Sequence, residues 1–302
     1  MGPVARSRSQ SPTLWVWSSV PMTDHILTLT CPDRAGIVHS VCTALLDIEG
    51  NIVENAQFGE PSTQTFCMRT VFSTPEADPA VVRAAIVARL DDEGATLHVR
   101  PVSHRPRVLI MVSKVDHCLV DLLYRWRTGA LPIEIPLIVS NHLDCAPIAA
   151  AHAIDFVHLP VTADTKSEQE TQLKELIDTQ AIDLVVLARY MQVLSDDLCR
   201  HLAGRAINIH HSFLPGFKGA RPYHQAHERG VKLVGATAHF VTTELDEGPI
   251  IEQDVARVHH AHSVEELVRL GQDTERQVLA RAVKYWAEDR VLLVGDRTVV
   301  FD

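Results

Sequence analysis

The 302-residue sequence contains no long apolar run and no closely spaced cysteine pair. None of its apolar runs approaches the roughly 18 residues that a membrane-spanning helix needs. Its six cysteines form no C-x-x-C pair, and no secretory signal pattern is evident. These absences predict a soluble, cytoplasmic protein whose thiols stay reduced and which has no membrane partner.

Positive charge is scarce as well. The chain carries 28 lysines and arginines against 38 acidic residues, a formal net charge of −10. Because nucleic acids are polyanions, this balance argues against a nucleic-acid partner. Residues 113–118, which follow an apolar strand pattern, contain neither the glycine pattern of a dinucleotide site nor a Walker loop. No nucleotide cofactor is therefore expected.

Length and composition indicate two domains, since a domain usually has about 100–200 residues. Residues 1–21 contain Arg6 and Arg8 but no acidic residue, and they are predicted to be a disordered tail. An organelle-targeting peptide or an upstream start codon before Met22 are the alternatives for this segment. The polar, proline-containing stretch 103–106 is the predicted boundary between domains at 22–104 and 107–302.

Residues 22–104 show the order βαββαβ. Strand patterns lie at 26–30, 51–58, 64–72 and 95–99, and two helical apolar stripes begin near Ile37 and Val82. Asp33 is the predicted N-cap of the first helix. This order predicts a ferredoxin-like fold.

The segment T-C-P-D-R-A-G-I-V at 30–38, set within that order, resembles the ACT domains. The resemblance implies a regulatory module that binds a small amino acid and pairs with a second copy in a homo-oligomer. Asp33, Arg34 and Gly36 are the candidate effector-binding residues, because a glycine at a helix start leaves backbone N–H groups accessible to a carboxylate. The alternative is that this domain is a scaffold without a ligand.

Residues 107–302 alternate apolar strands with helices. Strand patterns lie at 108–112, 133–139, 154–159 and 183–188. Those at 108–112 and 183–188 are almost wholly apolar, which is typical of strands that a parallel sheet buries on both faces. The alternation predicts a doubly wound, Rossmann-like α/β sheet with its functional site beyond the carboxyl ends of the strands.

Polar residues that suit acyl chemistry are concentrated at 206–252. Asn208 and His210 lie two residues apart in a strand and are predicted to face one side, whereas His211 is predicted to face away. An amide and a protonated imidazole can stabilise an oxyanion, and the carboxylate of Asp246 can orient a water or keep His210 charged. These residue types alone leave open a polar strand end beside an acidic turn.

Four motifs in this region resemble the folate-dependent formyltransferases. They are N-I-H-H-S-F-L-P at 208–215, G-A-R-P at 219–222, G-A-T-A-H-F-V at 235–241 and D-E-G-P-I-I at 246–251. The resemblance implies that Asn208, His210 and Asp246 are catalytic. It also implies a folate-binding loop within L-A-R-Y-M-Q-V-L-S at 187–195, with the substrate-binding residues Met191, Gln192, Val193, Leu194 and Gly248.

The order of an ACT-like segment before this fold resembles a narrower family, the formyltetrahydrofolate deformylases. That resemblance implies a hydrolase that acts on a linear amide-type C–N bond and converts 10-formyltetrahydrofolate to formate and tetrahydrofolate. Such a reaction supplies formate for purine synthesis and balances the one-carbon folate pools, and it needs no cofactor beyond its substrate. A formyltransferase with an unidentified small acceptor and a non-catalytic folate or amino-acid sensor are the alternatives.

Several histidines suggest a metal, but no metal site is predicted. His224 and His227 fall on one helical face, yet no cysteine and no third ligand accompany them at a spacing typical of zinc. Lys218 and Arg221 are candidates to attract the anionic glutamyl tail of a folate, with solvated surface residues as the alternative.

Overall fold

The computed structural model describes residues 21–90, 94–162, 164–216 and 222–302. Its first part is a four-stranded antiparallel sheet in the order β2-β3-β1-β4, accompanied by two helices, which confirms the predicted ferredoxin-like fold. The elements in chain order are β1 (Thr23–Pro32), α1 (Ile37–Asp47), β2 (Asn51–Glu60), β3 (Thr65–Thr74), α2 (Pro79–Leu90) and β4 (Thr96–Pro101).

The core of this part lies between the sheet and its two helices. Leu27, Leu29, Val41 and Ile86 are inaccessible to solvent and belong to one apolar cluster. The helix α1 begins after Gly36, which is its N-cap and has a φ of 96°. The predicted N-cap at Asp33 is therefore wrong, because the backbone reaches its helical conformation only after the left-handed glycine.

The second part of the chain forms a seven-stranded sheet in the order β11-β10-β9-β8-β5-β6-β7. The helices and strands of this part alternate along most of its length, as the sequence predicts. They are β5 (Arg107–Val112), α3 (His117–Arg127), β6 (Glu134–Ser140), α4 (Ala146–Ala151), β7 (Asp155–His158), α5 (Lys166–Thr179), β8 (Leu184–Leu187), α6 (Asp196–His201), β9 (Ala206–His210), α7 (Pro222–Glu228), β10 (Leu233–Phe240), β11 (Ile250–Arg257) and α8 (Val264–Ala287).

Five of these seven strands are parallel, and the two at one edge are not. The strand β10 pairs antiparallel with β9 and with β11. The loop 241–249 joins β10 to β11 without a crossover helix, and a connection this short joins antiparallel neighbours. The sheet is therefore mixed, although the doubly wound parallel arrangement holds for β5 to β9.

The central parallel strands β5 and β8 are buried on both faces, as their apolar runs predict, whereas the edge strand β7 is partly exposed. Val108 and Ile110 of β5 contact one apolar cluster, and Leu109 and Met111 contact another on the opposite face. The small helices α4 and α6 have six residues each and are not predicted from the sequence.

A carboxy-terminal hairpin follows α8 and packs against the first sheet. It consists of β12 (Val291–Val294) and β13 (Arg297–Val300). Leu292, Val294 and Phe301 form an apolar cluster with Cys67 of the first sheet. The chain passes from β4 to β5 at residues 102–106, where the sequence places the boundary, but the last residues of the chain return to pack on the first sheet.

All six cysteines carry free thiols. Within the described residues, no helix is long and apolar enough to cross a membrane.

Candidate active site

A cavity of about 650 Å3 opens beside the carboxyl ends of β8 and β9. This is where a ligand site is expected in an open α/β sheet. Predicted catalytic and folate-binding residues line it together, namely Asn208, His210, Asp246, Met191, Gln192, Val193 and Leu194. A volume of this size accommodates a drug-sized organic molecule.

Strand alternation and one turn bring the three candidate catalytic residues together. Asn208 and His210 belong to β9, and Asp246 belongs to the turn before β11, where its φ is 58°. Nδ1 of His210 lies 3.2 Å from Oδ2 of Asp246. Nε2 of His210 is buried and has no hydrogen-bond partner among the described residues. A carboxylate only accepts hydrogen bonds, so Nδ1 of His210 carries a proton.

His239 connects the other two members of this group. It lies opposite Asn208 in the β9–β10 pairing, with its Nε2 3.3 Å from Nδ2 of Asn208 and 3.7 Å from Oδ1 of Asp246. Its Nδ1 lies 2.9 Å from the carbonyl oxygen of Phe240 and therefore donates. In the neutral ring Nε2 then accepts from Asn208, which orients the amide. The sequence alone does not predict this role, because it depends on the strand register.

The charge state of Asp246 follows from these contacts. Burial alone would raise its pKa, but the contact with Nδ1 of His210, together with the nearby imidazole of His239, outweighs burial and holds the pKa below its usual value. Asp246 is consequently a carboxylate at neutral pH.

His211 does not face away from the site, so that prediction is wrong. Its ring is stacked on that of His210, with 5.1 Å between centroids, and it lines the same cavity. The strand β9 ends at His210, so strand alternation no longer applies to the next residue. Burial, reinforced by the charge of Arg189, lowers the pKa of His211 to about 4, and the ring is neutral at pH 7.

A second polar group, centred on Glu275 of α8, forms another wall of the cavity. The carboxylate of Glu275 is almost inaccessible to solvent. It accepts a hydrogen bond from the hydroxyl of Tyr223 at 2.6 Å, and it lies 2.9 Å from Nε2 of His117 and 3.3 Å from Nε of Arg189. Gly271 permits this packing, since a Cβ there would lie 2.0 Å from the Tyr223 ring. Helical spacing alone does not reveal such a group.

The candidate folate-binding loop, residues 191–194, is anchored at both ends. The N–H of Met191 donates to Oγ of Ser113 at 3.0 Å, and the N–H of Ser195 donates to Glu170 at 2.9 Å. The N–H groups of residues 192–194 make no hydrogen bond within the described part of the chain. These N–H groups, rather than that of Met191, are available to a ligand. Met191 and Val193 also expose more than half of their side chains.

Gly248 occupies a different position from the rest of the predicted folate-binding set. It is not among the residues that line the cavity. A Cβ at this position would lie 1.8 Å from the carbonyl oxygen of Phe240, so close backbone packing requires glycine here. Its role in folate binding remains a prediction.

Within the described residues, no group of three candidate metal ligands includes His224 or His227. Both histidines are exposed on α7, and His224 also lines the cavity. Ligand atoms of His117, Cys118 and Glu275 do lie within 4.8 Å of one another. This grouping suits a cation poorly, because Glu275 is already bonded to three donor groups and burial raises the pKa of the Cys118 thiol. Lys218 and Arg221 lie outside the described residues.

The candidate effector residues lie at the start of α1. Asp33, Arg34 and Gly36 are exposed, and Nη2 of Arg34 donates to the carbonyl oxygen of Leu90 at 2.6 Å. Gly36 has no side chain that could cap the helix, and the space that a Cβ at this position would occupy is open. The helix start is therefore accessible from solvent.

Sequence comparisons identify relatives over most of the chain. Residues 106–283 match the formyl transferase family. The formyltetrahydrofolate deformylase of Corynebacterium sp. strain P-1 is 48% identical over 282 residues, which cover 91% of this chain and 97% of that protein. The Escherichia coli K12 protein of the same name is 40% identical over 278 residues, with the same coverage of 91% and 97%.

Solved structures agree with these relatives. The formyltetrahydrofolate deformylase of Burkholderia mallei superimposes with a TM-score of 0.87 at 52% identity, covering 93% of this chain and 100% of that one. Glycinamide ribonucleotide transformylase 1 from Symbiobacterium toebii gives a TM-score of 0.63 at 31% identity, covering 67% and 97%. The similarity to the deformylase thus includes both sheets, whereas that to the transformylase extends over about two thirds of the chain.

Proposed function

The chain belongs to the formyltetrahydrofolate deformylase family, hydrolases of the formyl C–N bond, and we propose that it converts 10-formyltetrahydrofolate to formate and tetrahydrofolate. One observation carries the proposed chemistry: Asn208, His210 and Asp246 meet in a single cavity together with the loop 191–194. An amide, an imidazole and a carboxylate in this arrangement suit addition of water to a carbonyl group.

Asp246 positions the attacking water. Its carboxylate is ionised and borders the cavity, so it accepts a hydrogen bond from the water and directs the oxygen toward the formyl carbon. The same low pKa makes it a weak base. It therefore acts by orientation and by stabilising a positive charge on His210, whose Nδ1 lies 3.2 Å away.

Asn208 and His210 stabilise the oxyanion. In the protonated ring, Nε2 of His210 donates a hydrogen bond to the former carbonyl oxygen, since Nδ1 is engaged by Asp246. Nδ2 of Asn208 has two hydrogens, one directed at His239 and the other available to the same oxygen. Such positioned donors are worth roughly 10²–10³ in rate each.

The reaction needs no covalent enzyme intermediate. The water oxygen bonds to the formyl carbon, and the bond from that carbon to N10 of the folate then breaks. N10 takes up a proton from His210 or from water, which leaves tetrahydrofolate. Formic acid ionises, so one proton of the water ends on N10 and the other is released to solvent.

The turn after β5 supports water as the acceptor. In this turn Ser113 is engaged with Met191, and His117 with Glu275. Asp116 is the N-cap of α3, and its negative charge disfavours a phosphate at that helix start. The charge of Asp116 and the engaged side chains of Ser113 and His117 disfavour a phosphate at this turn, which supports water as the acceptor.

Formate release is the direct test of this function. We expect the purified protein to produce formate and tetrahydrofolate in equal amounts from 10-formyltetrahydrofolate, with no acceptor added. Formate that appears only when a small amine is present, together with a formylated amine, would instead indicate a formyltransferase. Binding without any turnover would indicate a sensor.

The proposed reaction also implies a metabolic role. Released formate supplies purine synthesis, and hydrolysis returns 10-formyltetrahydrofolate to the free tetrahydrofolate pool. We expect cells that lack the protein to contain less free formate, which analysis of cell extracts measures.

The first sheet is proposed to be an ACT-like regulatory module that pairs in a homo-oligomer. Its accessible helix start at Gly36 supports binding of a small amino acid near Asp33 and Arg34. Its edge strand β2 exposes Val53 and Phe58, which supports contact with a second subunit. Analytical ultracentrifugation of the full chain tests the oligomer.

A further inference from the structure

Ser113 joins the central strand of the second sheet to the loop 191–194. It follows β5 and exposes only 3% of its surface. Its N–H donates to the carbonyl oxygen of Arg189 at 3.3 Å, and its Oγ accepts the N–H of Met191 at 3.0 Å. One residue therefore holds both ends of the tripeptide 189–191.

The hydroxyl of Ser113 has one fixed orientation. Its Oγ lies 2.7 Å from Oδ1 of Asn141, which is itself buried after the end of β6. An amide oxygen cannot donate, so the hydroxyl proton points to Asn141 and a lone pair remains for the N–H of Met191. Both hydrogen bonds depend on the same oxygen atom.

The tripeptide that Ser113 holds includes a backbone conformation that L side chains rarely adopt. Arg189 has a φ of 65°, in the left-handed region. This conformation lets the side chain of Arg189 reach Glu275 while the chain turns at Met191 into the cavity-lining loop. Hydrogen bonds to the residues on both sides of the turn maintain it.

We propose that Ser113 is a positioning residue for the substrate, acting through the loop 191–194. This inference rests on the proposed function, because it assumes that the loop contacts the folate. Ser113 does not touch the reacting atoms in this proposal. It holds the N–H groups of residues 192–194 in place, so its loss weakens substrate binding without removing a group from the chemistry.

The test compares Ser113→Ala with Ser140→Ala. Ser140 is the matched control, because it is fully buried at the same end of the sheet and its Oγ donates to the backbone carbonyl oxygen of Ser113 at 3.4 Å, not to Oγ of Ser113 or to residues 191–194. The pair therefore separates the Ser113 hydroxyl from its backbone. We expect KM for 10-formyltetrahydrofolate to rise about five- to tenfold in Ser113→Ala, the loss of roughly one hydrogen bond, with kcat changed less than about twofold. In Ser140→Ala both constants stay close to those of the parent protein.

Asn141→Ala provides a second, milder variant. It removes the acceptor of the hydroxyl proton but leaves Oγ of Ser113 to accept from Met191, so we expect a rise in KM of about two- to threefold. In the double variant the effect is no larger than in Ser113→Ala alone, because both changes act through one oxygen. If Ser113→Ala fails to fold, Asn141→Ala still decides the question.

Calorimetric binding of tetrahydrofolate separates this inference from the proposed function. Weaker binding to Ser113→Ala than to Ser140→Ala supports the inference even if the parent protein releases no formate. Equal KM values in the two serine variants, equal tetrahydrofolate affinities, or a loss confined to kcat would each overturn it.

Discussion

Nδ1 of His210 and Oδ2 of Asp246 lie 3.2 Å apart, with both side chains at least nine-tenths buried. This contact fixes which nitrogen of the imidazole faces the carboxylate and leaves Nε2 for the substrate. It also means that the negative charge on Asp246 and a positive charge on His210 stabilise each other.

The first prediction concerns Asp246→Asn, which keeps the shape of the side chain and removes its charge. We expect formate release to fall by at least about 10², with tetrahydrofolate still bound, since the amide neither attracts a proton nor stabilises charged His210. Asp254→Asn is the control, an acidic residue of β11 that pairs with Arg281. Near-normal turnover in Asp246→Asn would remove Asp246 from the mechanism.

The second prediction concerns the neutral ring of His211. The unfolded chain binds a proton at this histidine near its ordinary pKa of about 6.5, and the folded protein does so only near pH 4. The free energy of unfolding therefore falls as the pH drops through this window, by up to about 3 kcal/mol from this residue.

Urea denaturation between pH 7 and pH 4 measures this effect. We expect His211→Gln to have a shallower dependence of unfolding free energy on pH, whereas His104→Gln, a change at an exposed histidine, keeps the parent slope. Identical slopes in all three proteins would show that His211 is not held neutral by the fold.

The third prediction concerns the hydroxyl of Tyr223. Tyr223→Phe removes the 2.6 Å hydrogen bond to the buried carboxylate of Glu275, and we expect a loss of about 1.5–3 kcal/mol in unfolding free energy. Tyr190→Phe is the control, because that buried hydroxyl has a contact of 3.5 Å with Gln169. If Tyr223→Phe lowers the unfolding free energy no more than Tyr190→Phe does, the hydrogen bond from Tyr223 to Glu275 does not stabilise the fold as expected.

The fourth prediction concerns regulation. In calorimetric titrations with the common amino acids, we expect at least one to bind, and Arg34→Ala to weaken it. Arg83→Ala is the control, since Arg83 also donates to a backbone carbonyl oxygen of this domain. The effector should change tetrahydrofolate affinity with a coupling of about 1–3 kcal/mol, reciprocal for the two ligands. Absence of binding for every amino acid would leave the first sheet a scaffold.

Part of the site was predictable from a local pattern and part only from the family resemblance. Asn208 and His210 share a face through simple strand alternation, whereas the loop 191–194 was predicted from the resemblance of the motif at 187–195. His239 and Glu275 were not predictable in the same way. The position of His239 depends on the β9–β10 register, and that of Glu275 depends on where α8 crosses the sheet.

The carboxy-terminal hairpin was predictable but was not predicted. Gly295 and Asp296 separate two short apolar runs, a hairpin signal, and Gly295 adopts a φ of 59°. Its docking on the first sheet depends on long-range packing, which no local pattern specifies.

That docking makes the unit built around the first sheet discontinuous in the sequence. Leu292, Val294 and Phe301 cover Cys67, while Arg69 and Arg100 of the first sheet bind carbonyl oxygens at the end of α8. If the chain were cut at residue 105 and the two pieces separated, the first sheet would lose these contacts and the hairpin would be exposed to water. Transplanting the first sheet into another chain therefore requires two exchanged segments, one from each end of the sequence.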